Sequence, residues 1–203
     1  MNLSKSLLDK LIRRKSIWYE KLRGLDFTRT VDSKTLRLDY FEGDVFYAAT
    51  LSRDLIEVLD VISIPEGSRI LDFGAGKGAA MKIMQKYNFL EVAGVEISGD
   101  LCKIAQKNFK ILGFTDLEIY ESDASLFVDI DRFTHFYFFH PFSRDVMKQV
   151  LDNILKSVQV FPRKVSLIYY NPGYQDLLDA RRELKLEKSF EGWKYRTLVY
   201  SYK

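Results

Sequence analysis

Three alternate glycines directly after an apolar strand constrain this chain more than any other feature. Residues 70–80 read ILDFGAGKGAA, an apolar run with one acid, then the glycines, then a helix start of small residues. Glycines at this spacing let the backbone turn tightly and approach a ligand that any Cβ would keep away. The segment therefore predicts a strand, a ligand-binding turn and a helix, in that order.

The carboxylate of Asp72, just before the turn, discriminates between ligands. A dinucleotide presents an anionic pyrophosphate, which bare backbone and a helix N-terminus bind and which an acid repels. An acid here suits a ligand with a cationic amino group and a sulfonium. The pattern Asp-x-Gly-x-Gly-x-Gly resembles the first motif of class I S-adenosylmethionine (SAM)-dependent methyltransferases. That resemblance implies a cofactor loop made of Asp72, Gly74, Ala75, Gly76 and Gly78.

Two other interpretations of the glycine segment stay open. Gly74, Gly76 and Ala79 also satisfy the looser dinucleotide pattern Gly-x-Gly-x-x-Gly/Ala, so an NAD-dependent oxidoreductase is an alternative. A strand-to-helix turn that binds nothing is the other. A phosphate-binding Walker loop is excluded, because Lys77 is followed by Gly78 and not by Ser or Thr.

Length and composition indicate one domain with an uneven charge. The 203 residues are 47% hydrophobic, enough to bury a single good core. Residues 1–24 carry seven basic and two acidic residues, a net charge of +5, which leaves −2 for the rest of the +3 chain. A basic leader could make a weak contact with RNA, and a solvated amphipathic helix is the alternative.

The lone cysteine and the absence of long apolar runs favour a cytoplasmic location. Cys102 can form no internal disulfide, which fits a reducing compartment. No apolar run reaches the length of a membrane span, and the N-terminus lacks the apolar core of a signal peptide. We therefore expect a cytoplasmic protein without membrane contact and predict no metal site.

Hydrophobic periodicity predicts strands alternating with helices, hence an α/β fold. A helix over residues 3–23 and a second from Thr50 to about Ile62 come first. Later helices are expected over 78–87, 99–112, 143–160 and 175–184, with a helical turn after the third strand. The predicted strands are Ser68–Asp72, Glu91–Glu96, Leu117–Tyr120, His135–Phe139, Val165–Tyr170, Leu186–Phe190 and Tyr195–Tyr202.

The predicted fold is a doubly wound, mostly parallel seven-stranded sheet with an antiparallel C-terminal hairpin and an N-terminal helical extension. Class I methyltransferases have such a sheet, so the resemblance extends over roughly residues 50–203. We assign residues 1–49 to an extension that covers the substrate side and residues 50–203 to the SAM-binding domain.

Acids at two further strand ends extend the predicted cofactor site. Glu96, followed by Ile97, ends the second strand. A carboxylate at this position can accept hydrogen bonds from both hydroxyls of a ribose. Asp123, followed by Ala124, comes after the third strand, and the resemblance implies that it accepts from the adenine amino group. The structural alternatives are an exposed acid for Glu96 and a helix cap for Asp123.

The ends of the fourth and fifth strands are the predicted acceptor side. His140-Pro141-Phe142 stands where many methyltransferases of planar amino groups have Asn/Asp-Pro-Pro and an aromatic residue, so the pattern only partly matches. His140 could be a general base, with a structural histidine as the alternative. Phe142 and Asn171 are the predicted substrate contacts, and Tyr47 is expected to cover the methionine end of SAM.

The sequence as a whole resembles small bacterial class I SAM-dependent methyltransferases of unassigned substrate, and more faintly the Dot1-type histone-lysine enzymes. The resemblance implies methyl transfer by direct displacement to RNA, a protein side chain or a small molecule. An NAD-dependent oxidoreductase and a non-catalytic module that binds SAM or nucleic acid are the alternatives. Asp72 and Asp123 disfavour the oxidoreductase.

Overall fold

A seven-stranded sheet organises the chain in the computed structural model, which describes residues 5–29, 52–140 and 142–203. The strands are β1 Arg69–Phe73, β2 Glu91–Glu96, β3 Leu117–Glu121, β4 His135–Phe139, β5 Ser166–Tyr170, β6 Leu184–Glu191 and β7 Arg196–Tyr202. The helices are α1 Lys5–Arg23, α2 Ser52–Leu59, α3 Ala79–Met84, α4 Gly99–Leu112, α5 Arg144–Val160 and α6 Gln175–Asp179. The predicted α/β class, seven strands and antiparallel hairpin are confirmed.

The strand order is β3-β2-β1-β4-β5-β7-β6. The first five strands in this order are parallel, and β7 pairs antiparallel with both β5 and β6. The winding direction reverses between β1 and β4, which are neighbours although two strands separate them in the sequence. Ligands of open α/β sheets bind at the carboxyl ends of the strands beside such a reversal. The topology thus places the ends of β1, β2, β4 and β5 around one crevice.

Alternate residues of the central strands supply two hydrophobic clusters, one on each face of the sheet. On β4, Phe136 and Phe138 point to the cluster that packs on α5 and α6, and Tyr137 points to the one that packs on α2, α3 and α4. The strands read as continuous apolar runs because helices cover both faces. Two packed faces hold the carboxyl ends of the strands in fixed positions.

Two expected helical segments differ from the structure. The helix predicted over 175–184 ends at Asp179, and Ala180 caps it. Leu184 then begins β6 and is buried in the same cluster as Leu178, so the chain leaves the helix to bring Leu184 onto the sheet. The connection after β3 holds no helix, only a turn in which the Leu126 N–H donates to the Asp123 carbonyl at 3.1 Å.

A buried acid on α2 holds the C-terminal hairpin. Asp54 accepts from the Tyr170 hydroxyl and from the Trp193 backbone N–H, both at 2.8 Å. Trp193 lies in the turn between β6 and β7, so one carboxylate joins an early helix, the end of β5 and the hairpin. None of the helices within the described ranges is long and apolar enough to cross a membrane.

Candidate functional site

All three glycines of the loop after β1 adopt left-handed backbone conformations. Their φ angles are +76° at Gly74, +55° at Gly76 and +79° at Gly78, a region that residues with a Cβ rarely adopt. The N–H groups of Gly74 and Ala75 both donate to the Val95 carbonyl, at 2.8 and 3.1 Å. The alternation seen in the sequence is therefore a backbone requirement, and the loop is tied to the end of β2.

Asp72 is a buried carboxyl group. It is 3% exposed, and its neighbours in the sheet are Gly94 on β2 and Tyr137 on β4. No hydrogen bond joins its carboxyl to any of the described residues. Burial, together with the negative charge of Glu96, raises the pKa of Asp72 to about 8. Such a group favours a cationic hydrogen-bond donor as its partner, which fits the amino group of SAM.

Glu96 lies at the end of β2 and is hydrogen-bonded to the glycine loop. One carboxylate oxygen accepts from the Gly76 N–H at 2.8 Å and the other from the Ser98 N–H at 2.9 Å. Burial raises the pKa of Glu96, and these backbone donors oppose the shift. A carboxylate held on both oxygens has a fixed orientation and keeps further lone pairs for hydroxyl donors. This geometry suits the predicted contact with a ribose.

Asp123 caps its own turn. Its Oδ1 accepts from the backbone N–H of Ser125 at 2.8 Å and from the Ser125 hydroxyl at 2.7 Å. The alternative was a helix cap, but no helix follows here, so Asp123 instead stabilises a turn, and it does so with one carboxylate oxygen only. The adenine contact stays a prediction. Of the two accompanying residues, Ile97 is exposed beside Glu96, and Ala124 is buried under the turn.

The predicted acceptor-side residues do not all lie together in the structure. His140 and Asn171 directly follow the neighbouring strands β4 and β5, and both have positive φ, +38° and +53°. Phe142 instead packs edge-on against Phe73, with the two ring centres 6.3 Å apart, on the sheet face that carries α5. Its substrate role stays a prediction, as does that of Tyr47, which lies outside the described residues.

His140 and Asn171 are the two non-glycine residues with positive φ in the described part of the chain. Each precedes a proline, which restricts its backbone further. Conformations of this kind cost about 1–3 kcal/mol and are common at functional sites. Two of them side by side next to the crevice support the view that this edge is built for function. His135 lies at the opposite end of β4, where its Nε2 contacts the Ser63 carbonyl at 3.1 Å, a structural contact away from the crevice.

Sequence reasoning missed a buried ion pair under the glycine loop. The ammonium of Lys77 is fully buried and donates to Asp26 at 2.8 Å and to the Arg29 carbonyl at 2.9 Å. Burial alone would raise the pKa of Asp26, but hydrogen bonds and charges from Lys77 and Arg29 lower it overall. Asn108 on α4 accepts from the Asp26 N–H at 2.9 Å and donates to the Lys77 carbonyl at 3.2 Å.

This network anchors the segment after α1 to the loop. Glu20 accepts from the backbone N–H groups of Phe27 and Thr28 at 3.0 and 2.9 Å, and Phe27 is buried against α3. A lysine within an otherwise small and apolar glycine run was a signal that a buried anion must lie nearby. The sequence offers no comparable signal for Asp26, which lies 51 residues away.

Residues 41–129 match the family model of protein-L-isoaspartate(D-aspartate) O-methyltransferase. Comparison with curated proteins gives no match.

Among solved structures, the chain is similar to a ribosomal protein L11 methylase from Lactobacillus delbrueckii subsp. bulgaricus. The TM-score is 0.59 at 13% identity, over 73% of this chain and 76% of that one. It is also similar to a TehB-like SAM-dependent methyltransferase from Corynebacterium glutamicum. The TM-score is 0.56 at 20% identity, over 75% of this chain and 87% of that one.

An RNA methyltransferase from Salinibacter ruber, solved with S-adenosylhomocysteine, gives a TM-score of 0.56 at 15% identity, over 74% of this chain and 89% of that one. At these identities the solved structures establish the fold, and the family match covers the glycine loop and the acids at the ends of β1 to β3. The chain thus has the fold of the class I, Rossmann-like SAM-dependent methyltransferases, and residues 41–129 match a methyltransferase family model.

Proposed function

We propose that the protein holds SAM with Asp72, Glu96 and Asp123 and transfers its methyl group to an acceptor bound at the ends of β4 and β5. In this assignment Asp72 binds the amino group, Glu96 binds the ribose hydroxyls, and the free oxygen of Asp123 accepts from the adenine amino group. SAM supplies a methyl group on a sulfonium, which a nucleophile displaces directly. The protein's contribution is to hold the two reactants in line, which can be worth several kcal/mol.

The observation that carries this proposal is the buried carboxyl of Asp72 beside the left-handed glycine loop. A dinucleotide would place its pyrophosphate at this loop, next to Asp72 and Glu96. Asp72 would repel the pyrophosphate when ionised, whereas it can ionise to pair with a cationic amino group. Glu96 can accept from the ribose hydroxyls of either ligand, so Asp72 makes the distinction. The charge of the site therefore favours SAM over NAD.

Calorimetry with S-adenosylhomocysteine and with NAD tests the proposal. We expect binding of S-adenosylhomocysteine and no measurable heat with NAD. Asp72→Asn should weaken binding, whereas Asp145→Asn, in the first turn of α5 and exposed, should leave it unchanged. Heat with NAD and none with S-adenosylhomocysteine would overturn the assignment.

The outer face of α1 supports RNA as a partner. Its exposed residues between 11 and 24 include Arg14, Lys15, Lys21 and Arg23, and the one acid of this stretch, Glu20, is buried. Trp18 is 66% exposed and lies one helical turn from Arg14 and from Lys21. Cations beside exposed aromatic rings are typical of surfaces that bind single-stranded nucleic acid through phosphates and stacked bases.

Fluorescence anisotropy with a labelled single-stranded RNA tests this partner. We expect affinity that falls with salt and a shallower salt dependence for the double variant Arg14→Gln, Lys21→Gln. The matched control is Lys103→Gln, Lys148→Gln, which removes two exposed cations on α4 and α5. Equal losses of RNA affinity in the two double variants would show a general effect of net charge and would contradict a specific role of α1.

A further inference from the structure

The hydroxyl of Tyr169 lies between His140 and the backbone of Tyr174. Tyr169 is 0% exposed, its hydroxyl oxygen accepts from the Tyr174 N–H at 3.3 Å, and it lies 3.2 Å from Nδ1 of His140. A buried hydroxyl needs an acceptor for its own proton. A backbone N–H cannot serve, so among the described residues the acceptor is Nδ1 of His140.

This bond fixes the tautomer of His140. A neutral imidazole carries one proton, and because Nδ1 accepts, that proton is on Nε2. Burial lowers the pKa of His140, which favours the neutral form. The groups around the ring are the phenols of Tyr169 and Tyr174, the latter with its ring centre 4.9 Å away. Beyond Tyr174, Arg144 is paired with Asp176, so no unpaired carboxylate among the described residues stabilises an imidazolium here.

Gly173 fixes the position of the same ring. A Cβ at Gly173 would lie 2.2 Å from Cε1, 2.6 Å from Nδ1 and 2.8 Å from Nε2 of His140. These distances are well below contact, so the imidazole rests directly on the glycine backbone and no other residue fits under it. With the positive φ of His140 itself, three constraints from two strands hold one imidazole.

We propose that His140 acts as a fixed hydrogen-bond donor through Nε2 toward the methyl acceptor, not as its general base, and that Tyr169 and Gly173 are the residues that position it. The inference rests on the proposed function, because it concerns the acceptor side of that site. It revises the general-base role suggested by the sequence, since a base needs a free lone pair on the nitrogen that faces the acceptor.

The transfer balances without moving a proton to or from His140. A lone pair of the acceptor forms the bond to the methyl carbon, and the carbon–sulfur bond breaks with its electron pair moving to sulfur. The products are the methylated acceptor and S-adenosylhomocysteine. The acceptor is thus a group that is already nucleophilic and has more than one lone pair, such as an oxyanion, so that one lone pair attacks the methyl carbon while another accepts from the Nε2 proton.

Long-range nitrogen–proton NMR of protein labelled with ¹⁵N-histidine tests the proposal directly. The chain has two histidines, and His135 is an internal reference because its Nε2 faces a carbonyl, which can only accept. We expect both rings to be neutral with the proton on Nε2 at pH 7. A proton on Nδ1 of His140, or an imidazolium at pH 7, would overturn the proposal.

Tyr169→Phe removes the hydroxyl that fixes the tautomer and should give His140 a mixture of tautomers, with His135 unchanged. Tyr120→Phe is the matched control, since it removes a hydrogen-bonded hydroxyl on β3, at the far edge of the sheet. If Tyr169→Phe does not fold, Gly173→Ala supplies the second test and should shift the His140 signals by displacing its ring. A His140 spectrum that is the same in wild type and in the folded variant would refute the positioning role.

Binding of S-adenosylhomocysteine separates this inference from the proposed function. Tyr169→Phe should bind it with unchanged affinity, because the hydroxyl faces the acceptor side. A wild-type protein with the expected tautomer that does not bind S-adenosylhomocysteine would contradict the proposed function and leave the tautomer assignment standing.

Discussion

Binding of S-adenosylhomocysteine should release a proton near neutral pH, because Asp72 must ionise to pair with the amino group of the ligand. With a pKa of about 8, this carboxyl is about nine-tenths protonated at pH 7 in the free protein. Paired with an ammonium group in the complex, it is ionised. The proton that it loses passes to the buffer.

The expected size and sign of the effect follow from two titrations. At pH 7 Asp72 releases about 0.9 proton, and a ligand amine of ordinary α-amino pKa, about 7.8, takes up about 0.1. The net release is about 0.8 proton per ligand. At pH 9 the carboxyl is already mostly ionised and the amine mostly neutral, so binding takes up about 0.8 proton. The sign therefore reverses near pH 8.

Calorimetry at one pH in buffers of different ionisation enthalpy measures the number of protons directly. Asp72→Asn should abolish the release at pH 7 and keep the uptake at pH 9, since the amine still titrates. Asp145→Asn should behave as wild type. A wild-type complex that exchanges no protons at pH 7 would refute either the raised pKa of Asp72 or its contact with the amino group.

The same carboxyl makes the stability of the free protein depend on pH. The pKa of Asp72 is raised from about 3.9 in an unfolded chain to about 8 in the folded protein. Its contribution to the free energy of unfolding is therefore fully present below pH 4 and is lost as pH rises through 8. Within that window the loss is at most about 1.4 kcal/mol per pH unit. The melting temperature should fall between pH 6 and pH 8 in the wild type and should fall less in Asp72→Asn.

Three further outcomes are expected. Glu96→Ala should weaken binding of S-adenosylhomocysteine by about 1–3 kcal/mol in calorimetry, and unchanged affinity in a folded variant would remove the ribose role. Asp26→Ala removes the carboxylate that pairs with the buried Lys77 ammonium, so chemical denaturation should show a loss of about 3 kcal/mol, and Lys77→Met in the same background should recover part of it. Gly78→Ala should destabilise by about 1–3 kcal/mol more than Gly113→Ala, because both have φ above +70° but only the first meets an aromatic ring, at 2.3 Å. Equal losses at the two glycines would contradict that reasoning.

Most strand positions followed from the sequence because the sheet is covered on both faces. Apolar runs bounded by turn residues placed β2 and β4 with their observed bounds and β1 within one residue. The end of α6 did not follow, since residues 180–184 carry no strong helix-breaking signal. That boundary is set by burial of Leu184 on a strand that the local sequence does not reveal.

For the site, local patterns indicated the residues but not their partners. The glycine spacing and the position of Asp72 predicted a ligand-binding turn. The structure shows that turn with left-handed conformations at its three glycines, and its contact with the cofactor stays a prediction. The partner of Lys77 could not be predicted from the sequence, because Asp26 lies in a segment after α1 that contains no recognisable motif. The tautomer of His140 depends on a hydroxyl from the next strand, and only the register between β4 and β5 brings the two together.

The position of β7 in the sheet has a consequence for how the chain folds. β7 fills the gap between β5 and β6, although it is the last of the seven strands to be synthesised. Until it inserts, β5 presents an open edge that carries Leu167, Ile168 and Tyr169, and such edges invite pairing with other chains. β6, once paired, has a mostly exposed surface with several charges, which suits a permanent sheet edge. Substitutions that slow the insertion of β7 should therefore promote aggregation of the nascent chain well beyond their effect on the folded protein.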